Sequence, residues 1–158
     1  MKIKIAWIGK PKEPAVQALT LEYLKRIQRY VPVEGLALRD ENALLQLSGR
    51  TTSSKNGPTK SKQLGSKSTL VVMDSRGKQF SSEEFAEFLR NYQDRNPLPL
   101  IFAVGPADGF SDATRNAAQQ VISLGKMTMA HELARVILLE QVYRAFTIMK
   151  GHPYHSGH

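Results

Sequence analysis

Phe102-Ala103-Val104-Gly105-Pro106-Ala107-Asp108-Gly109-Phe110-Ser111 is the stretch that decides the fold. An apolar run empties into a Gly-rich turn, and Ser111 with Asp112 behind it signals the start of a helix. A second such turn, Ser123-Leu124-Gly125-Lys126-Met127-Thr128-Met129-Ala130-His131, precedes a long apolar helix that closes in Gly151-His152-Pro153-Tyr154-His155. Each turn offers backbone N–H and C=O groups at the C-terminal end of a strand, where α/β folds bind ligands.

The rest of the chain falls into the same rhythm. Residues 2–9 alternate like a strand. Pro11 and Pro14 open a helix with Leu19, Tyr23, Leu24 and Ile27 at helical spacing and Lys25, Arg26 and Arg29 outside; it must stop before Pro32. Val33 to Leu38 reads as a strand, and Asp40 caps a brief helix from Glu41 to Leu47. Leu70 to Asp74 is apolar enough for a strand covered on both faces, and Ser75-Arg76-Gly77-Lys78 reads as a turn. Ser81 or Ser82 caps the next helix, with Glu83 and Glu84 in its first turn and Phe85, Phe88 and Leu89 inward. Leu98 to Val104 and Val121 to Leu124 complete the strands, and Ala130 to about Met149 is the terminal helix. Strands alternating with helices predict an α/β fold with a mainly parallel sheet flanked by helices, a single domain over residues 1–158.

Composition narrows the function. The formal charge of +8 favours a polyanionic partner, RNA or DNA, because each neutralised phosphate releases a counterion. There is no cysteine, which excludes disulfides and thiolate metal sites and fits the cytoplasm. The terminal helix carries Arg135, Glu140 and Arg144, so it does not read as a membrane span. From about 48 to 68 the chain turns to Ser, Thr, Lys and Gly, and it reads as a flexible basic loop. Gly65-Ser66-Lys67-Ser68-Thr69 is not a phosphate-binding loop, because Gly does not directly precede Lys and a strand follows rather than a helix. The terminal helix has a narrow polar stripe of Glu132, Glu140, Arg144 and Thr147. One sheet face cannot bury the remainder, so a twofold-related copy is expected against it, the alternative being cover by loops.

In order and spacing, Gly9, Glu22-Tyr23-Leu24-Lys25-Arg26, Met73-Asp74-Ser75-Arg76-Gly77-Lys78, the Gly turn, Leu133-Ala134-Arg135-Val136, Glu140-Gln141, Tyr143-Arg144-Ala145 and His152-Pro153-Tyr154-His155 resemble the RlmH family of SPOUT-class RNA methyltransferases. The resemblance spans nearly the whole chain, and the basic segment 48–68 has no counterpart in it. It implies an α/β fold with a C-terminal trefoil knot and a homodimer. It implies methyl transfer from S-adenosylmethionine to N3 of a pseudouridine in 23S rRNA of the assembled ribosome. It places the cofactor against Met73, Gly105 with Pro106, and the run Leu124, Gly125, Lys126, Met127, Thr128 and Met129. It also implies that the tail, residues 151–158, completes the cofactor pocket of the other subunit.

The chemistry asks for little more than alignment of donor and acceptor. An imide nitrogen attacks better as its proton leaves, so a base or a stabilising cation helps. Candidates are His131, Arg144, Tyr154, His155 and His152. His131 is equally readable as a residue fixing its turn, and Arg144 as half of an ion pair with Glu140 four residues earlier. Tyr154 in an aromatic tail suits stacking on an unpaired base. His152, His155 and His158 do not make a metal site: the end is loose, and the reaction needs no metal. Three positions depart from the family pattern. The family's Gly-Gly-Pro is here Val104-Gly105-Pro106-Ala107-Asp108-Gly109, so either Pro106 replaces the second glycine and removes a donor, or one residue is added after Gly105-Pro106. Ala130 replaces a usual proline. Ser156 replaces a usual basic residue, a loss of RNA contact that the basic loop would offset.

Overall fold

The computed structural model describes residues 1–49 and 68–156. The basic segment thus lies almost wholly outside the described residues, as does His158. Five strands, β1 (Ile3–Ile8), β2 (Val33–Leu38), β3 (Thr69–Gln79), β4 (Leu100–Val104) and β5 (Gln120–Ser123), form one sheet in the order β2-β1-β4-β3-β5. Every pairing is parallel. Five helices alternate with them: α1 (Pro14–Ile27), α2 (Glu41–Leu47), α3 (Ser82–Arg95), α4 (Asp112–Ala117) and α5 (His131–Lys150).

The helix ends follow local chemistry. Pro14 supplies the fixed φ of a first turn and Asp40 accepts from Ala43 N–H at 2.8 Å. Ser81, not Ser82, caps α3, in a reciprocal box with Glu84. At the far end of α5, Gly151 N–H reaches the Ile148 carbonyl and His152 N–H the Thr147 carbonyl, the paired bonds that stop a helix. A short 3-10 turn, Pro153–His155, follows.

Two cores sandwich the sheet. Ile3, Ile5, Val71, Phe102 and Val104 face α1, α3 and α5, while Ala6, Leu70, Val72, Ile101 and Ala103 face α2 and Phe110 before α4. Alternate residues of β3 and β4 therefore enter opposite cores, which is why these strands read as apolar throughout. α5 packs between α1 and α3 and carries the largest share of the first core: Leu138, Leu139, Val142, Ala145 and Phe146. Arg135 is also sealed there, 2% exposed, its guanidinium 4.3 Å from the centre of the Trp7 ring.

Three expectations change. Ser75-Arg76-Gly77-Lys78 is not a turn that ends the strand. β3 runs on to Gln79 with a bulge, pairing Met73 and then Lys78 to the same residue, Ile122. A Cβ on Gly77 would lie 2.6 Å from the Val121 backbone, so glycine permits that close passage. β4 begins at Leu100 rather than Leu98, since Pro99 has no N–H to give to a ladder. Thr147 is not part of a polar stripe: it is fully buried, and its hydroxyl donates to the Arg144 carbonyl at 2.6 Å. Among the described residues no helix is long and apolar enough to cross a membrane.

Candidate functional site

At the C-terminal ends of β3 and β4 the chain leaves in opposite directions, to α3 on one face and α4 on the other. Such a reversal opens a crevice in a parallel sheet. A cleft of about 390 Å³ lies there, walled by the β3 bulge, the turn after β4 and the loop between β5 and α5. Its size suits a small organic ligand.

The turn after β4 is closed by Gly109 N–H on the Pro106 carbonyl at 2.9 Å. Behind it, Gly105 is packed so closely that an added Cβ would meet the Phe110 ring at 2.9 Å. The opposite wall turns at Gly125, whose φ of +144° is open to glycine but strained for other residues. The Ser123 hydroxyl spans that turn, donating to the Gly125 carbonyl at 2.8 Å and accepting from Gly125 N–H at 3.1 Å.

Phe110 is itself fixed from below. The Glu41 carboxylate accepts from Ser111 N–H at 2.8 Å, the Ser111 hydroxyl at 2.6 Å and the Thr114 hydroxyl at 2.9 Å, tying α2 to the first turn of α4. Burial pushes the Glu41 carboxyl up, but the hydrogen bonds from Ser111 and Thr114 outweigh it and hold the pKa below the ordinary 4.5. The stabilisation is therefore present above the unfolded-state pKa and lost as pH falls through the lower folded one. Glu41→Ala should cost about 1–3 kcal/mol at neutral pH, since hydrogen bonds to a charged acceptor are lost, and the gap to wild type should close in acid. Denaturant melts from pH 7 down to pH 3 check this; a gap that stays constant would mean that the carboxylate charge is not what ties the two helices.

Eight of the nine residues expected at the cofactor line this one cleft: Met73, Gly105, Pro106, Leu124, Gly125, Met127, Thr128 and Met129. Lys126 is the exception; it does not line the cleft and is exposed. Met127 lines it but is 82% exposed, an apolar side chain left in water. His131 opens α5 at the cleft wall. The other catalytic candidates lie elsewhere. α5 is about 30 Å long at 1.5 Å per residue, and it separates His131 from the tail. Tyr154 packs edge-on against Tyr143, ring centres 4.7 Å apart, and its hydroxyl donates to Glu140 at 3.2 Å. Burial, the Tyr23 hydroxyl and the Glu140 charge all push the Tyr154 phenol up, so it stays protonated. Arg144 donates its Nε–H to Glu140 at 2.9 Å and stacks over the Tyr154 ring, so of its two readings the structure contains the ion pair. That bond raises the Arg144 pKa further. His155 is half-buried beside them, its Nδ1 buried without a partner among the described residues. His152 uses its Nδ1 to accept from Tyr154 N–H at 3.3 Å.

Sequence reasoning missed the part of the cleft built by the β3 bulge. Asp74, Ser75 and Arg76 line it. Asp74, with its side chain only 5% exposed, accepts from Arg76 Nε–H and Nη2–H at 2.9 Å each and faces Arg115 at 3.8 Å. Arg115 also donates to the Phe110 carbonyl at 3.1 Å, so this carboxylate joins two walls of the cleft. The strand-end position of Asp74 was a usable signal; reading 75–78 as a plain turn hid it.

The residues fit an adenosyl donor. Leu124, Met127 and Met129 offer apolar walls, and the backbone at Gly105 and Gly125 is bare. Asp74, Arg76 and Asp108 are charged groups at the lining that suit an amino-acid moiety. Among the described residues no cluster of His, Asp and Glu could hold a metal ion.

Comparison with known proteins gives a consistent picture. The family described as predicted SPOUT methyltransferase matches residues 1–155. A Koribacter versatilis protein named ribosomal RNA large subunit methyltransferase H is 52% identical over 158 residues, all of both chains. A Trichlorobacter lovleyi protein of the same name is 41% identical over 98% of this chain and 99% of its own. Among solved structures, a probable methyltransferase from Bordetella pertussis superposes with a TM-score of 0.58 at 8% identity, over 92% of this chain and 94% of that one. The SpoU methyltransferase AviRb from Streptomyces viridochromogenes, solved with AdoMet, superposes at 0.51 and 11% identity, over 90% of this chain and 57% of that one. At those identities the structures speak for the fold alone.

Proposed function

The chain belongs to the SPOUT methyltransferase family, and from that premise we propose that it methylates N3 of a pseudouridine in 23S rRNA of the assembled ribosome, using S-adenosylmethionine, as a cytoplasmic homodimer. The full-length match at 52% identity to a relative named as a large-subunit rRNA methyltransferase carries this reading. The cleft supports the donor's place. The donor supplies an electrophilic methyl group when bound. In this reading Gly105 and Gly125 bring backbone close to it, Met73, Leu124, Met127 and Met129 exclude water, and Thr128 adds a hydroxyl at the wall.

The dimer is part of the proposal because one chain holds its candidate residues at two ends. Exposed Leu133 and Ile137 on α5, with Leu19 and Leu21 on α1, leave apolar surface that a second copy would cover. A twofold arrangement would bring the tail of one copy to the cleft of the other. The C-terminal knot is read in the same way: the chain leaves the edge strand β5 and must cross to reach the space between α1 and α3. Tyr154 then presents a ring face to the target base, its hydroxyl remaining donated to Glu140. Arg144, held as a cation by Glu140, stabilises negative charge developing on the base. His131 or His155 is left to receive the proton.

Tyr154→Ala should lower methyl transfer roughly 10- to 100-fold, the worth of one base–aromatic stack, and leave affinity for S-adenosylhomocysteine within about twofold. Calorimetry beside single-turnover transfer measures both; equal loss of the two would remove the stacking role. The function itself is tested by labelled methyl transfer to ribosomes lacking the modification, followed by mass mapping of the rRNA. Label on one pseudouridine of 23S rRNA supports the proposal. Label on another RNA refutes the substrate, and no donor binding at all leaves an RNA-binding protein on this fold.

A further inference from the structure

The end of the molecule away from the cleft gathers positive charge that the cleft does not use. It is built by the last turns of α1 and α5, the start of β1 and the tail. Aromatic contacts lock these pieces together: Tyr30 stacks on Phe146 with ring centres 5.9 Å apart, and Tyr23 leans on Tyr143 at 6.2 Å. Three carboxylates beside these pieces are already paired. Glu22 holds Arg26 at 2.9 Å, Glu140 holds Arg144, and Glu34 lies between Lys2 and Lys4 at 3.3 and 3.6 Å. Lys25, Arg29 and Lys150 are left over. All three are exposed, and none forms an ion pair among the described residues. Arg29 adjoins Tyr30, and Lys150 sits one turn beyond Phe146, so these two flank the aromatic cluster that carries Tyr154, and Lys25 lies one turn before Arg29 on the outer side of α1.

At the cleft end the charges are mixed: Asp74 is paired with Arg76 and Arg115, and Asp112 with Arg115. Unpaired cations beside stacked aromatic rings have the composition of a surface that tracks a nucleic-acid strand.

We infer that Lys25, Arg29 and Lys150 form the surface that grips RNA phosphates beside the target nucleotide. The inference rests on the RNA substrate proposed above and adds where the strand runs. In the twofold arrangement this surface travels with the tail, and so arrives at the partner's cleft together with Tyr154. Phosphate contacts fix the register of the strand, and the tail meets the base.

The test is the triple variant Lys25→Gln, Arg29→Gln, Lys150→Gln, all exposed positions. Binding to ribosomes lacking the modification is followed across a salt series, with S-adenosylhomocysteine affinity and the melting temperature as controls. The variant should bind ribosomes roughly 10- to 100-fold more weakly near physiological salt, with a log–log salt slope shallower by about two to three, near one per lost contact. Both controls should be unchanged. An unchanged slope and affinity, in a protein whose wild type transfers methyl, would overturn the inference and leave the function standing; these charges would then be only a solvated face. A wild type that binds neither donor nor ribosome would overturn the function, and the inference with it.

Discussion

Gly105→Val is expected to abolish donor binding while the chain remains folded and associated. The cause is local. A single Cβ at 105 would already lie 2.9 Å from the Phe110 ring, and valine adds two methyl groups to that collision. Phe110 cannot retreat freely, because it is 3% exposed in the second core and Glu41 fixes the residue after it. The strain must instead move the Pro106–Gly109 turn, which is a wall of the cleft. Overpacking of this kind costs about 1–3 kcal/mol of stability. The donor should lose more than about 100-fold in affinity, close to 3 kcal/mol, because the wall shifts and the bare backbone is covered. Calorimetry with S-adenosylhomocysteine reads the affinity, and light scattering reads association. Binding at wild-type strength would place the donor elsewhere than in this cleft.

Mixing two impaired variants should restore activity. Gly105→Val damages a cleft and Tyr154→Ala a tail, and about 30 Å of α5 separates the two in one chain. If each site joins the cleft of one copy to the tail of the other, a heterodimer carries one site with both defects and one with none. Random pairing of equal amounts would then recover about a quarter of wild-type transfer. The double variant, carrying both changes in every chain, should recover nothing. Co-expression with two tags isolates the heterodimer itself, which should retain about half of wild-type activity. A tagged heterodimer without activity would mean that the tail does not serve its partner's cleft, and the division of the candidate residues along α5 would need another explanation.

The parts of the candidate site that were legible in the sequence were those marked by a local backbone need. Gly105 and Gly125 are glycines in turns at strand ends, so composition marks them. Ser111, Asp40 and Ser81 announce helix starts, because a cap is satisfied within three residues. Lys126 was carried along with its neighbours; a loop can line a cleft with only part of its length, and here that residue points outward. Thr147 looked like surface because its hydroxyl is polar, yet the Arg144 carbonyl on the same helix satisfies it in the core. Asp74 and Arg76 were missed because 75–78 read as a turn, and the bulge that brings them to the cleft is set by pairing with Ile122, more than forty residues further on.

By itself the sequence determined the α/β alternation, the two Gly turns, the caps and the basic balance. These are local or summed properties, fixed by periodicity, by the conformational range of single residues and by counting charge. The tertiary structure alone decided three things. It ran β3 through a bulge that builds one wall of the cleft, it packed Tyr23 and Tyr154 against Tyr143, and it brought Arg115 to Asp74 across two walls of the cleft. Each depends on which elements pack side by side, a matter of long-range burial that no short stretch of residues encodes.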